Sequence, residues 1–139
     1  MMEFASATQL VAAIKNRRIS AVELLDLYID RVERFNPRIN AVVATNFDNA
    51  RIRAKKADEA LMRGDDWGPL HGLPMTIKDS IEMVGMPCTS GSPKLKSHMP
   101  ARNADVIEPL LDAGAVIFGK TNLPLFAQDF QSFNGGKGR

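Results

Sequence analysis

The sequence is poor in cysteine, with Cys88 alone, so no disulfide can close within the chain and a cysteine zinc cluster is excluded. That thiol reads as structural or incidental rather than as a nucleophile. No window of the sequence is apolar enough for a membrane span, and Met1-Met2-Glu3-Phe4 lacks a basic segment leading into an apolar one. The expected address is therefore the cytoplasm, with no membrane partner. Strong net charge is also lacking: 18 Lys and Arg stand against 16 Asp and Glu, for a formal charge of +2. The basic residues mostly alternate with acids along helical stretches instead of gathering, which speaks against a nucleic-acid partner. The two histidines, His71 and His98, have no metal-ligand spacing and read as polar loop positions. No metal site and no cofactor are expected, and there is no internal repeat.

What remains is an ordinary globular composition, 45% hydrophobic and 24% charged over 139 residues, enough for one domain or a piece of one. Residues 8–16 predict a short helix capped by Thr8. Residues 20–35 predict a stronger one, with Ser20 and Glu23 spaced as a capping box. On it Leu25, Tyr28, Val32 and Phe35 recur at helical spacing and Leu24, Leu27 and Ile29 widen the stripe, which is a core-packing face. Its polar face mixes both charge signs, so packing is favoured over a membrane surface. Asn36-Pro37 is expected to stop it, since proline disfavours helical geometry in the residue before it.

Ala41 to Ala44 reads as a strand, and Asn46 to Arg63 as a helix with Ala50, Ala54, Ala57 and Leu61 inward. Its charged residues Arg51, Arg53, Lys55, Lys56, Asp58 and Glu59 are expected mostly to face water. After a turn-rich connection with Trp67, Met75 to Ile77 reads as a strand with Lys78 at its carboxyl end. Residues 85–93 form a loop, and part of 105–113 is a helix ending at Gly114, with Pro109 kinking it or delaying its start. Ala115 to Phe118 is a buried strand, followed by Gly119-Lys120-Thr121-Asn122. The alternation of helices and strands predicts an α/β fold with helices packed on a mixed, at least partly parallel sheet.

Gly114, Gly119, Lys120 and Thr121 match the phosphate-binding pattern G-x-x-x-x-G-K-[ST]. The match fails on context. The intervening Ala-Val-Ile-Phe is strand-like, and Pro124 lies where the required helix should run. Lys78 carries more information. On composition it is a solvated lysine; at the end of an apolar strand it stands where open α/β sheets place ligand sites. Desolvation there would favour the neutral amine, suited to a general base, whereas an ion pair with Asp79 would keep it charged.

Three blocks carry a resemblance. Gly72-Leu73-Pro74-Met75-Thr76-Ile77-Lys78-Asp79, Thr89-Ser90-Gly91-Ser92, and Gly114 through Pro124 resemble, in order and at family-like intervals, consecutive blocks of the amidase signature family. The resemblance covers about residues 65–134. It implies a serine hydrolase of small-molecule carboxamides with a triad of nucleophilic serine, a second serine with a cis peptide bond, and lysine. Lys78 falls on that lysine, and Phe126 and Ala127 match a segment lining the acyl pocket in some members.

Both family serines lie beyond Gln131-Ser132-Phe133-Asn134, and this chain continues only as Gly135-Gly136-Lys137-Gly138-Arg139, an atypical tail. Ser90, Ser92 and Ser132 precede the serine stretch and carry no catalytic role by this match. The expectation is residues 1–134 as the N-terminal part of one amidase-type domain, incomplete as a sheet and as a catalyst, whose partner is the remainder of an amidase chain. Two alternatives stand beside it: an inactive remnant or complementing fragment that only binds, and, ranked lower because Leu125 replaces an acidic residue common in that branch, the A subunit of a glutamyl-tRNA amidotransferase.

Overall fold

Helix α1 spans Ala7–Lys15 and opens on a capping box. The Ser6 hydroxyl accepts the Gln9 amide and the Gln9 side chain accepts the Ser6 amide, so the cap is Ser6 rather than Thr8. The S-x-x-Q spacing that forms it lies two residues before the expected cap. The computed structural model describes residues 2–135; residues 136–139, most of the glycine-rich tail, lie outside the described residues.

Helix α2 covers Ala21–Ile39 with the expected Ser20/Glu23 box. It does not stop at Asn36. Pro37 lies within its last turn, where the missing N–H forfeits one bond, to the carbonyl of exposed Glu33, which water can serve. The turn is held from outside instead. The Asn36 side chain accepts the Val42 amide and donates to the Val42 carbonyl, both at 2.8 Å, and the chain leaves through Asn40 in the left-handed region (φ 46°).

Strand β1 is Val42–Thr45, helix α3 Phe47–Met62, strand β2 Pro74–Lys78, helix α4 Ile107–Asp112 and strand β3 Val116–Thr121. Pro109 is the third residue of α4, a position whose N–H has no partner inside the helix, so its ring is accommodated without a kink. The sheet has the order β1-β3-β2, with β3 antiparallel to β1 and parallel to β2, the mixed sheet expected.

Ala50, Ala54, Ala57 and Ala60 line the buried side of α3, and their small side chains let it lie close on α2 and β3. Two of its charged residues face inward, against expectation. Asp58 accepts the amides of Ala21 and Val22 (2.7 and 3.1 Å), capping α2 from a neighbouring element. Arg53 donates to the carbonyls of Ala115 and Leu111 (2.7 and 2.6 Å) under the Trp67 ring. Burial pulls its guanidinium below the ordinary value.

His71 is fully buried rather than a polar loop residue. Trp67 N–H donates to its Nδ1 (3.0 Å), which places the ring proton on Nε2, facing the Ala57 carbonyl at 3.1 Å. Directly behind it sits Gly114 at φ 97°, where a Cβ would come within 2.7 Å of the His71 Cα.

One face of the sheet buries Val116 and Phe118 against α1, α2 and α3. The other holds a smaller cluster of Ile77, Ile107 and Ile117. No helix among the described residues is long and apolar enough to cross a membrane.

Candidate functional site

Strand β3 carries Gly119-Lys120-Thr121 inside it, rather than presenting them as a loop before a helix. No amides are arrayed there for phosphate, because they are spent on strand pairing; the nucleotide-loop reading is excluded on geometry as well as on sequence. The register of β3 against β2 slips at this point. Met75 aligns with Ile117 but Thr76 with Gly119, so Phe118 is the extra residue of a bulge. Without the bulge, alternation would set Lys120 on the helix-covered face beside Phe118. With it, Lys120 aligns with Ile77 and points to the opposite face.

Lys78 ends β2 opposite Thr121, and alternation places its side chain on the face opposite Ile77 and Lys120. The side chain is exposed, and its amine makes no hydrogen bond or ion pair among the described residues. The expected desolvation is therefore not supplied by these residues. Nor is the ion pair with Asp79. Adjacent strand-end residues point to opposite sides, and the Asp79 carboxylate turns inward, 1% exposed, to accept the Thr89 amide (3.2 Å) and the Thr89 hydroxyl.

Asp79 thereby gathers the loop of the second sequence block onto the strand end. Its carbonyl accepts the Ser90 amide at 2.9 Å and the Cys88 thiol at 3.5 Å, and its own N–H donates to Thr121. Burial raises the Cys88 thiol above its ordinary value, which suits an inert buried sulfur rather than a nucleophile.

Through Thr121 and Ser90, Asp79 makes the three sequence blocks meet at one edge of the sheet, and the Ser90 carbonyl in turn accepts the amide of Phe126, just past the third block, at 2.8 Å. Ser90, Phe126 and Ala127 all adopt positive φ (48°, 50° and 57°). For residues with a Cβ this costs about 1 kcal/mol or more each. Strain of this kind concentrates where a backbone is held for a purpose.

An open cavity of about 470 Å³ lies beside the strand end, lined by Ser80, Glu82, Cys88, Ser90, His98 and Arg102 among others. His98 Nε2 lies 2.7 Å from the Glu82 carboxylate at its rim. Lys78, Phe126 and Ala127 do not line it. The side chains of Phe126 and Ala127 are exposed, so the structure joins their backbone to the site without placing them in one pocket with Lys78. Among the described residues no three metal-ligating side chains converge.

Lys120 was missed as a site residue. It is fully buried, donates from Nζ to the Ile81 carbonyl, and is pulled below its ordinary value by burial, against the opposing attraction of Cys88, Asp79 and Glu82. A lysine directly following Val-Ile-Phe-Gly in a central strand was the available signal.

A family model described as Amidase matches residues 23–139. The chain belongs to the amidase signature family. This amidase-family chain is 39% identical over 131 residues to the A subunit of the glutamyl-tRNA(Gln) amidotransferase of Carboxydothermus hydrogenoformans, covering 94% of itself and 27% of that protein. It is also 39% identical over 122 residues to the indoleacetamide hydrolase of Bradyrhizobium diazoefficiens, covering 88% of itself and 23% of that protein.

The crystal structure of a bacterial aryl acylamidase of the amidase signature family superposes with a TM-score of 0.90 at 28% identity, over 97% of this chain and 28% of that one. The amidase-family chain thus spans about a quarter of its relatives' length and carries a partial version of their fold.

Proposed function

We propose that residues 1–134 are the N-terminal part of an amidase-type domain that hydrolyses a carboxamide to acid and ammonia or amine, with Lys78 as its general base. The observation that carries this reading is the placement of Lys78. It stands unpaired at the carboxyl end of a parallel strand, with its neighbour Asp79 drawn away into the loop of the next sequence block. In the scheme implied by the family, the neutral amine takes a proton through a bridging serine, the nucleophilic serine attacks the carbonyl, and the proton returns to the leaving amine. Both serines would come from polypeptide downstream of these residues. That polypeptide would also cover Lys78, since a base must be removed from water to lose its proton readily.

The test is the chain extended by a serine-bearing downstream segment of an amidase relative. Amide turnover should appear, be blocked by a serine-directed inhibitor, and fall at least a hundredfold in Lys78→Ala. Turnover retained in that variant would defeat the assignment.

A second reading is favoured by the exposed apolar side chains near the end of the described chain, Phe126, Phe130 and Phe133, at 52%, 107% and 65% exposure. The 139 residues by themselves would be an inactive complementing fragment that binds the rest of an amidase. Inhibitor-sensitive hydrolysis of a simple amide by the unextended chain would exclude it.

Similarity to amidotransferase A subunits and to amide hydrolases is equal at 39%, so overall identity does not choose between them. We rank the amidotransferase reading lower because of Leu125. Co-purification with tRNA and a second, tightly bound protein chain would reverse that ranking.

A further inference from the structure

Lys120 is the only fully buried cation among the described residues, and the triad chemistry makes no use of it. It sits in the central strand, where an apolar residue would pack without the cost of removing an ammonium group from water. Its Nζ donates to the carbonyl of Ile81. Ile81 N–H in turn donates to the carbonyl of Lys78 at 2.9 Å, closing the turn 78–81. From the β3 side, Asp79 N–H donates to the Thr121 carbonyl at 3.0 Å. The peptide units that carry Lys78 are thus pinned twice, by the strand edge and by an amine beneath the turn.

We propose that Lys120 is a positioning residue for Lys78, holding the turn 78–81 from the opposite face of the sheet through the Ile81 carbonyl. The inference rests on the reading of Lys78 as the base. The bulge at Phe118 supports it, because this irregularity is what brings Lys120 round to the face where the turn lies. The charged and titratable groups gathered on that side, Asp79, Glu82 and Cys88, offset the burial of its charge. Lys78 and Lys120 lie on opposite faces of the β2–β3 pair, so the influence runs through backbone and not through contact between the two amines.

The experiment is site-resolved amide hydrogen exchange and nitrogen-15 spectroscopy on the 139-residue chain, comparing wild type, Lys120→Met and Lys120→Arg. Lys120→Met should speed exchange at Ile81 about tenfold or more and move the Lys78, Asp79 and Ile81 resonances, while α1, α2 and α3 amides keep their protection. Lys120→Arg, which keeps a donor, should restore most of the Ile81 protection. Unchanged exchange and resonances at 78–81 in Lys120→Met would overturn the proposal. Uniform loss of protection across the helices would overturn it too, by reducing Lys120 to core packing.

If Lys120→Met does not fold, the wild type decides. Magnetisation transfer from the Lys120 ammonium protons to residues 78–81 is expected, and its absence contradicts the inference. None of these readouts involves amide turnover, so failure here leaves the Lys78 assignment standing, and failure of Lys78→Ala leaves this hold on the turn intact.

Discussion

The two faces of the sheet are built on different terms. On one, three helices bury Leu10, Ile14, Leu24, Leu25, Ile29, Val116 and Phe118, with alanines of α3 letting the layers close. On the other, three isoleucines share the space with a buried lysine, a buried aspartate and a buried thiol. Apolar burial at about 25 cal/mol per Å² makes the first face the source of stability. The second face spends part of its burial on polar groups that pack at a cost, and those groups converge on the strand end that carries Lys78. Apolar packing is thus concentrated on one side of the three strands and the buried polar groups on the other.

The largest test of that contrast is a pair of truncations followed by urea unfolding. Leu24→Ala on the helix-covered face should cost about 4 kcal/mol, and Ile117→Ala on the thinner face about 2 kcal/mol, since the smaller cluster has fewer neighbours to leave facing a void. Equal or inverted losses would break the comparison. Next comes Asp79→Ala, which frees the Thr89 amide and hydroxyl and removes a charge that offsets Lys120. It should cost about 2 kcal/mol and raise proteolytic cleavage within the 88–92 loop. Ser20→Ala, which opens the capping box of α2, should cost about 1 kcal/mol with no change at the strand end.

The smallest effect is a pH dependence in which the two buried groups oppose each other. Burial lowers Lys120 below 10.5, so the unfolded chain binds a proton that the folded chain has released. Stability from this group therefore rises as pH climbs from the folded value toward 10.5. Burial raises Cys88 above 9.0, so the unfolded thiol ionises first and stability falls as pH passes 9.0. Urea midpoints compared at about pH 8 and about pH 10 should shift upward in Cys88→Ala relative to wild type, and downward in Lys120→Met.

Local signals made most of the fold legible. The Ser20/Glu23 spacing, the apolar stripe of α2, the alanines of α3 and the apolar run before Lys120 each predict their element within a few residues, because a cap or a stripe is contained within a turn or two of chain. The misses share a cause at longer range. Asp58 caps a helix that starts 37 positions earlier, and Arg53 binds a carbonyl 62 positions on. Nothing near Asp58, Arg53 or His71 in sequence distinguishes them from surface residues. Pro37 stayed within a helix because Asn36 found its partners in Val42, across the turn.

At the site, Lys78 was placed at its strand end by the apolar run before it. The inward turn of Asp79 and the bulge that re-aims Lys120 depend on strand pairing, which no local pattern specifies.

The most direct measurement of the central claim is chemical rescue. In the chain extended by a serine-bearing segment of an amidase relative, amide hydrolysis by Lys78→Ala is followed with and without an added small alkylamine. If Lys78 is the proton acceptor and Lys120 its support, the amine restores part of the turnover of Lys78→Ala and does nothing for Lys120→Met. Full turnover by Lys78→Ala with no amine present would contradict the account.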